Sequence, residues 1–217
     1  MNMIDFYFSY RSPYSYLILP RMLKLKNEYN IDVNFKIVYP IAIRFPEFFK
    51  KKNLIYFASV MLDIKKKAKN LNMSLNLPPK PDPIKQNTIT GKISDHQPYI
   101  FDVCHMGQLM ANRGKGMEFA YELSTMIWSV KNWNNDALLE SLFAEFGEDL
   151  QEIKNSIKQN ETQLIEEIEM NQLDQKEAGH HGVPLNVYKG NYYFGQDDPF
   201  EKLISVLIKD GVIESFK

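Results

Sequence analysis

The chain has 217 residues, 44% of them hydrophobic and 24% charged, with a formal net charge of −1. This suits one domain, or one domain with a large insertion, and enough apolar mass for a sizeable core. A balance so close to neutral supplies no global field to draw in nucleic acid or acidic lipid.

In chain order, residues 4–9 read as an aromatic-rich strand, and residues 13–28 as a helix bearing Leu17, Leu19, Met22 and Leu23. Ser12-Pro13 is a helix start, with serine at the N-cap and proline at the first helical position. Pro20 lacks an N–H for the ladder and is expected to bend this helix. Residues 32–38 alternate on Val33, Phe35 and Ile37 and give a second strand. A strand–helix–strand unit this short implies parallel pairing through a right-handed crossover.

The next 130 or so residues read mainly as helix. The periodicity predicts helices over 54–71, 97–112, 116–131, 135–146, 149–158 and 161–178. Residues 78–83 carry four prolines and read as an extended connection. A strand is expected over 183–188, a turn at Lys189-Gly190-Asn191 and a returning strand over 192–194. In the last helix Asp198 reads as N-cap, Pro199 as N1 and Glu201 as N3, an Asp-x-x-Glu capping box, with Gly211 at the far end.

Cys104 is the one cysteine, so neither an intrachain disulfide nor a Cys-x-x-Cys motif exists. This fits a reducing compartment. Asp5 and Arg11 interrupt the N-terminal segment where a signal peptide needs an apolar run. No apolar run approaches the ~18 residues of a membrane span. A soluble cytoplasmic protein is expected. The lysine runs at 50–52 and 65–67 read as solvated helix faces.

Few residues invite chemistry. Ser12 places a hydroxyl and unpaired backbone N–H groups at a strand-to-helix junction, where an anion can be held. Read alone, it is a helix cap beside an open anion position. Val183-Pro184 fits either a trans proline at a strand edge or a cis bond. His180 and His181 are adjacent and share no face, so joint metal ligation is not expected. His181 is either a proton carrier or a surface loop residue. Cys104, Trp128 and Trp133 read as packing residues. No phosphate loop, zinc spacing or Ser-His-Asp grouping is visible, and no metal is expected.

Asp5-Phe6-Tyr7-Phe8, Ser12-Pro13-Tyr14-Ser15-Tyr16-Leu17, Gly182-Val183-Pro184 and Phe194-Gly195-Gln196-Asp197 together resemble the 2-hydroxychromene-2-carboxylate isomerase family. That family is close to the kappa-class glutathione transferases, within the DsbA-like group of thioredoxin folds. The resemblance implies an α/β thioredoxin-like fold, with residues 1–40 and 179–217 forming the thioredoxin-like domain. Residues 41–178 would be a helical insertion between its β-α-β and β-β-α halves. It also implies a cis Val183-Pro184 bond and a glutathione site. There Ser12 meets the glutathione sulfur, Val183 and Pro184 pair with the cysteinyl backbone, and Gln196 and Asp197 hold the γ-glutamyl end. Asn53 is a further candidate by position.

The implied activity is a glutathione-dependent isomerisation of a small aromatic acid in a homodimeric enzyme, with glutathione as cofactor. A kappa-type transferase and a non-catalytic thiol or peptide binder are the alternatives. Dithiol exchange is excluded by the missing Cys-x-x-Cys. Two departures stand out. Relatives often carry arginine directly after the aspartate, where this chain has Asp198, and a small or apolar residue before the Ser-Pro pair, where it has Arg11.

Overall fold

The computed structural model describes residues 3–48, 54–87 and 92–216. Strand β1 (Met3–Phe8) leads through helix α1 (Pro13–Glu28) to strand β2 (Asp32–Ile37). The two strands pair in parallel, from Met3 opposite Asp32 to Phe8 opposite Ile37. Ile4, Phe6 and Phe8 alternate onto one face and are fully buried in the main core with Leu17, Ile18 and Met22 of α1. Burying each such side chain contributes about 1.5–3 kcal/mol. The helix runs unbroken through Pro20.

A short helix α2 (Ile41–Arg44) and a 3-10 turn (Pro46–Phe48) follow, neither of them expected from periodicity. Helix α3 (Leu54–Asn70) leads into the proline-rich connection, where Leu77-Pro78 and Lys80-Pro81 are cis. The helical mass continues as α4 (Ile100–Asn112), α5 (Gly116–Ser129), α6 (Asp136–Glu145), α7 (Leu150–Gln159) and α8 (Glu161–Glu177). Helix α4 starts three residues later than its pattern suggests, because the Gln97 amide is spent on the backbone of Lys85 and Ser94. Helices α4 and α5 pack on each other, α5 packs on α1, and α4 and α8 pack on β2. Trp128 and Trp133 are buried packing residues, as expected.

The chain then returns to the sheet as β3 (Leu185–Tyr188) and β4 (Asn191–Phe194), and ends in α9 (Asp198–Lys209). Strand β3 pairs antiparallel with β1 and with β4, giving the order β2-β1-β3-β4. Lys189 and Gly190 join the hairpin with positive φ of 49° and 75°, the signature of a two-residue type I′ turn. Helix α9 closes in a Schellman motif: Val212 N–H donates to Leu207 C=O and Gly211 N–H to Ile208 C=O, with Gly211 at φ 67°.

The capping box at the start of α9 is not formed. Asp198 is already helical, Asp197 occupies the N-cap position, and no side chain caps the helix there. The backbone carbonyl of Asp197 receives the Glu201 N–H at 3.1 Å. The Asp197 carboxylate points elsewhere. Among the described residues no helix is long and apolar enough to cross a membrane.

Candidate functional site

Ser12 caps α1 as its sequence implies: its Oγ accepts the Ser15 N–H at 3.2 Å. Its carbonyl accepts the Tyr16 N–H at 3.2 Å, and Pro13 has no N–H. That leaves the Tyr14 N–H as the first-turn donor with no acceptor among the described residues. The Ser12 hydroxyl donates to the Val183 carbonyl at 3.4 Å, across 171 residues of sequence. At that length the bond is weak and easily exchanged for a better acceptor.

Val183 precedes the β1–β3 ladder, which begins at Leu185 opposite Tyr7. The Val183-Pro184 bond is cis, as the resemblance implies. Pro184 C=O accepts the Gly195 N–H at 2.9 Å, which holds the start of β3 against the end of β4. The fold therefore brings Ser12, Val183 and Pro184 together.

Gln196 and Asp197 follow β4 on the same rim. Gln196 is 2% exposed. Its carbonyl and Oε1 accept from one Arg21 nitrogen at 2.6 and 3.2 Å, which fixes the orientation of the amide. Its Nε2 is buried with no acceptor among the described residues. Arg21 also lies 4.7 Å from the Phe200 ring centre and 3.8 Å from Glu201. Burial lowers its pKa, with Glu201 and Asp197 opposing.

The Asp197 carboxylate meets Lys67 of α3 at 3.3 Å. Lys67 also pairs with Asp63 one turn earlier, and Asp63 accepts the Tyr14 hydroxyl at 2.7 Å. Burial pushes the Asp63 carboxyl up, yet the hydrogen bonds from Lys67 and Tyr14 outweigh it and leave the group below its ordinary value. Burial pushes Lys67 down, and its bonds to Asp63 and Asp197 leave it above its ordinary value. Tyr14 is raised by burial and then by Asp63, so it remains a donor at neutral pH.

Arg11 is neither solvated nor open to a ligand. Its Nε and one terminal nitrogen bind the two Asp82 oxygens at 2.6 Å each, and its guanidinium carbon lies 5.4 Å from the Trp128 ring centre. The proline-rich connection is thereby clamped to the turn that carries Ser12.

Two residues that periodicity does not single out hold the 180–183 loop. Arg44 donates to the carbonyls of Tyr39 and His181 and to Gln175 Oε1, at 2.7, 2.9 and 2.9 Å. Gln175 in turn donates to the Gly182 carbonyl at 2.8 Å. No carboxylate faces Arg44 in these bonds, and burial pulls its guanidinium down to about 10. His180 accepts the Gly182 N–H on Nδ1 at 2.9 Å and lies against Phe194, with ring centres 4.0 Å apart. Burial lowers its pKa, and acceptance at Nδ1 fits a neutral ring protonated at Nε2. His181 packs edge-on against Phe45.

Cys104 is fully buried, and burial pushes its thiol well above the ordinary value. It is no nucleophile in this state. Asn53 and the lysine run at 50–52 lie outside the described residues. Among the described residues no group of three or more His, Cys, Asp or Glu could hold a metal ion.

Comparison with solved structures finds the same fold over nearly the whole chain. A 2-hydroxychromene-2-carboxylate isomerase superposes with a TM-score of 0.69 at 15% identity, covering 96% of this chain and 97% of that one. A probable DsbA oxidoreductase from Streptomyces coelicolor gives 0.63 at 13% identity, covering 96% and 89%. The cytosolic disulfide reductase DsbM from Pseudomonas aeruginosa, in its structure with GSH, gives 0.56 at 12% identity, covering 95% and 99%. At these identities the likeness shows the fold. No curated protein matches significantly. Residues 3–203 match the family described as DSBA-like thioredoxin domain, and with its four-stranded sheet and helical insertion the chain belongs to that family.

Proposed function

We propose that the protein is a glutathione-dependent isomerase of the 2-hydroxychromene-2-carboxylate isomerase kind, with Ser12 activating the thiol of bound glutathione. One observation carries the reading. At the junction of β1 and α1 a serine hydroxyl faces the Val183 carbonyl at 3.4 Å, and the chain's own thiol is sealed in the core. Thiol chemistry at this site therefore needs a thiol from outside. The structural neighbour solved with GSH supports glutathione as the ligand class.

The energetics are adequate. A free thiol titrates near about 8.5, and moving it to about 6.5 needs roughly 2.7 kcal/mol. A hydroxyl donating to a charged acceptor contributes about 1.5–3 kcal/mol. A helix N-terminus adds about 0.3–1 kcal/mol. Ser12 keeps its cap while its hydrogen turns from Val183 C=O to sulfur, because the Ser15 N–H occupies only one lone pair. The Tyr14 N–H lies in the same turn. Val183 and Pro184 would pair with the cysteinyl backbone and Gln196 and Asp197 would hold the γ-glutamyl end, with Asn53 a further ligand by position.

In the reaction, the thiolate adds to a conjugated double bond of an aromatic acid. A C–S bond forms, and the π electrons move into the adjoining carbonyl as an enolate. The former double bond turns as a single bond. The enolate then re-forms the double bond and expels the thiolate. No net redox change occurs, and glutathione is regenerated. The single cysteine fits work in a reducing cytoplasm. The homodimer is carried over from the family resemblance.

The test is a glutathione titration of wild type and Ser12→Ala, following thiolate absorbance against pH. Wild type should bind glutathione and bring its thiol to about 6.5, and Ser12→Ala should leave it within about one unit of 8.5. Absence of binding at millimolar glutathione sinks the reading. An unchanged thiol pKa in Ser12→Ala reduces Ser12 to a cap. Catalytic cis–trans conversion with constant glutathione marks an isomerase. Stoichiometric loss of glutathione to an aryl halide marks a kappa-type transferase, and binding without turnover marks a binder.

A further inference from the structure

The two edges of the sheet are guarded differently. Strand β2 carries Asp32 and Lys36 and packs against α4 and α8. Charge and cover are the usual protections of a strand edge. Strand β4 ends the other side, with no strand beyond it among the described residues. Its residues, Asn191-Tyr192-Tyr193-Phe194, include neither charge nor proline. Tyr192 and Phe194 are 49% and 43% exposed, while Tyr193 alternates to the other face and packs against the main core.

The backbone of β4 is as open as its rings. Gly195 N–H donates to Pro184 C=O at 2.9 Å, and antiparallel pairs alternate between bonded and unbonded. Stepping back along the register from that bond, Tyr193 and Asn191 turn their backbone groups to β3. Tyr192 and Phe194 therefore turn theirs to the open edge. His180 steadies both rings, with centres 4.0 Å from Phe194 and 5.7 Å from Tyr192.

We propose that this edge is a dimer interface, in which β4 pairs antiparallel with β4 of a second copy about a two-fold axis at Tyr193. Two four-stranded sheets then become one of eight strands. The register makes the edge self-complementary, as a two-fold interface must be. Tyr192 lies opposite Phe194 of the second copy, and Phe194 opposite its Tyr192. Each pair exchanges two backbone hydrogen bonds and sets one aromatic ring against another. An axis at Tyr192 or at Phe194 leaves the other residue without a strand residue opposite it. Charge selects the same direction. Lys189 precedes β4 and Asp197-Asp198 follow it, and Lys189 and Asp197 are 54% and 55% exposed. Antiparallel pairing turns the cation of one copy to the carboxylates of the other, whereas parallel pairing sets like against like. The proposal gives a surface to the homodimer of the functional reading and rests on that part of it alone.

The experiment is sedimentation velocity of the full chain over a range of micromolar concentrations, with wild type, Tyr192→Pro and Tyr192→Phe. Proline at 192 removes an N–H that faces outwards and leaves the β3 ladder intact. It should weaken the dimer about a hundredfold, because the two-fold removes each backbone bond and each ring pair twice. Tyr192→Phe should remain a dimer. Register is read by oxidative cross-linking, since Cys104 is fully buried and a new cysteine is the reactive thiol. Tyr193→Cys should give a disulfide-linked dimer. Tyr192→Cys should not, because position 192 of the two copies is a diagonal pair about 7–8 Å apart, beyond the reach of a disulfide.

A Tyr192→Pro variant that keeps its far-ultraviolet circular dichroism and still dimerises like wild type overturns the proposal and places the dimer elsewhere. If that variant loses its fold, cross-linking decides: Tyr193→Cys linking no better than Tyr192→Cys overturns the proposal. A monomeric wild type means that the occupant of the edge is not a second copy, and the proposal falls together with the homodimer. In each case the glutathione titration stands or falls separately, since it needs no dimer.

Discussion

Arg11 shows how a residue that breaks a family pattern is accommodated. A long cation directly before Ser12 would, if loose, sweep across the proposed thiol position. Asp82 prevents this by holding two guanidinium nitrogens at 2.6 Å, with both side chains 21% exposed. The bidentate match requires the planar fork of arginine. Asp82 Oδ1 also accepts the Ile84 N–H at 2.9 Å, so the carboxylate is itself held in place. Asp82→Asn should lower unfolding stability by about 1–3 kcal/mol. Arg11→Lys should be of similar size, because a point-like ammonium cannot span both oxygens. Urea denaturation reads both variants. A loss of less than about 0.5 kcal/mol, the range of ordinary surface substitutions, would show that the clamp contributes nothing.

Among the elements, α4 is positioned by an absence. A Cβ on Gly107 would lie 2.2 Å from the Tyr10 hydroxyl oxygen and 2.8 Å from Ile37 Cδ1. Helix propensity alone favours alanine over glycine by about 0.8–1.0 kcal/mol. Overpacking costs about 1–3 kcal/mol and decides the sign here, because Tyr10 is fully buried with no room to retreat. Gly107→Ala should therefore lower the melting temperature, and a rise would mean that α4 can shift away from Tyr10 and β2.

The same helix illustrates what the amino-acid sequence makes legible. Elements with local chemistry at their ends are read closely: Ser12-Pro13 sets the start of α1, and Gly211 the end of α9. The start of α9 is misread by one residue. The residue before a proline is disfavoured in helix, which favours Asp198 as the cap, yet Asp198 is helical. Asp197, one residue earlier, is drawn to a lysine on another helix. Strand β3 begins at Leu185 instead of 183 because Val183-Pro184 lies before the ladder. Arg44, Gln175 and the 180–183 loop leave no signal at all. The bonds from Arg44 to Gln175 and to His181 join residues 131 and 137 positions apart, and neither a period nor a motif encodes them.

At the scale of the molecule, the site is made by the two ends of the chain and steadied by what lies between. Ser12 and Val183 come from the sheet unit, whereas Asp82, Asp63 and Lys67 reach it from the helical mass. Helix α3 buries Ile64 and Ala68 in the core but leaves Ile55 and Leu62 78% and 69% exposed, whereas Phe119, Leu123 and Ile127 of α5 are fully buried, so the bonds of Asp63 and Lys67 form a larger part of what holds α3. Helix α3 should therefore open without global unfolding, and its tether should depend on pH. The Asp63 carboxyl is depressed in the folded state, so its contribution is complete above the unfolded value of about 3.9 and is lost as pH falls through the lower folded value. Lys67 is raised, so its contribution is complete below about 10.4 and is lost as pH rises through its higher folded value. The tether is intact between these limits. Hydrogen-exchange protection factors should fall in α3 below about pH 4 while those of α5 hold. At pH 7, Tyr14→Phe removes one of the bonds to Asp63 and should lower α3 protection about threefold to tenfold, with α5 unchanged. Equal protection of α3 and α5 in the wild type at pH 7 would show instead that the two helices open as one cooperative unit.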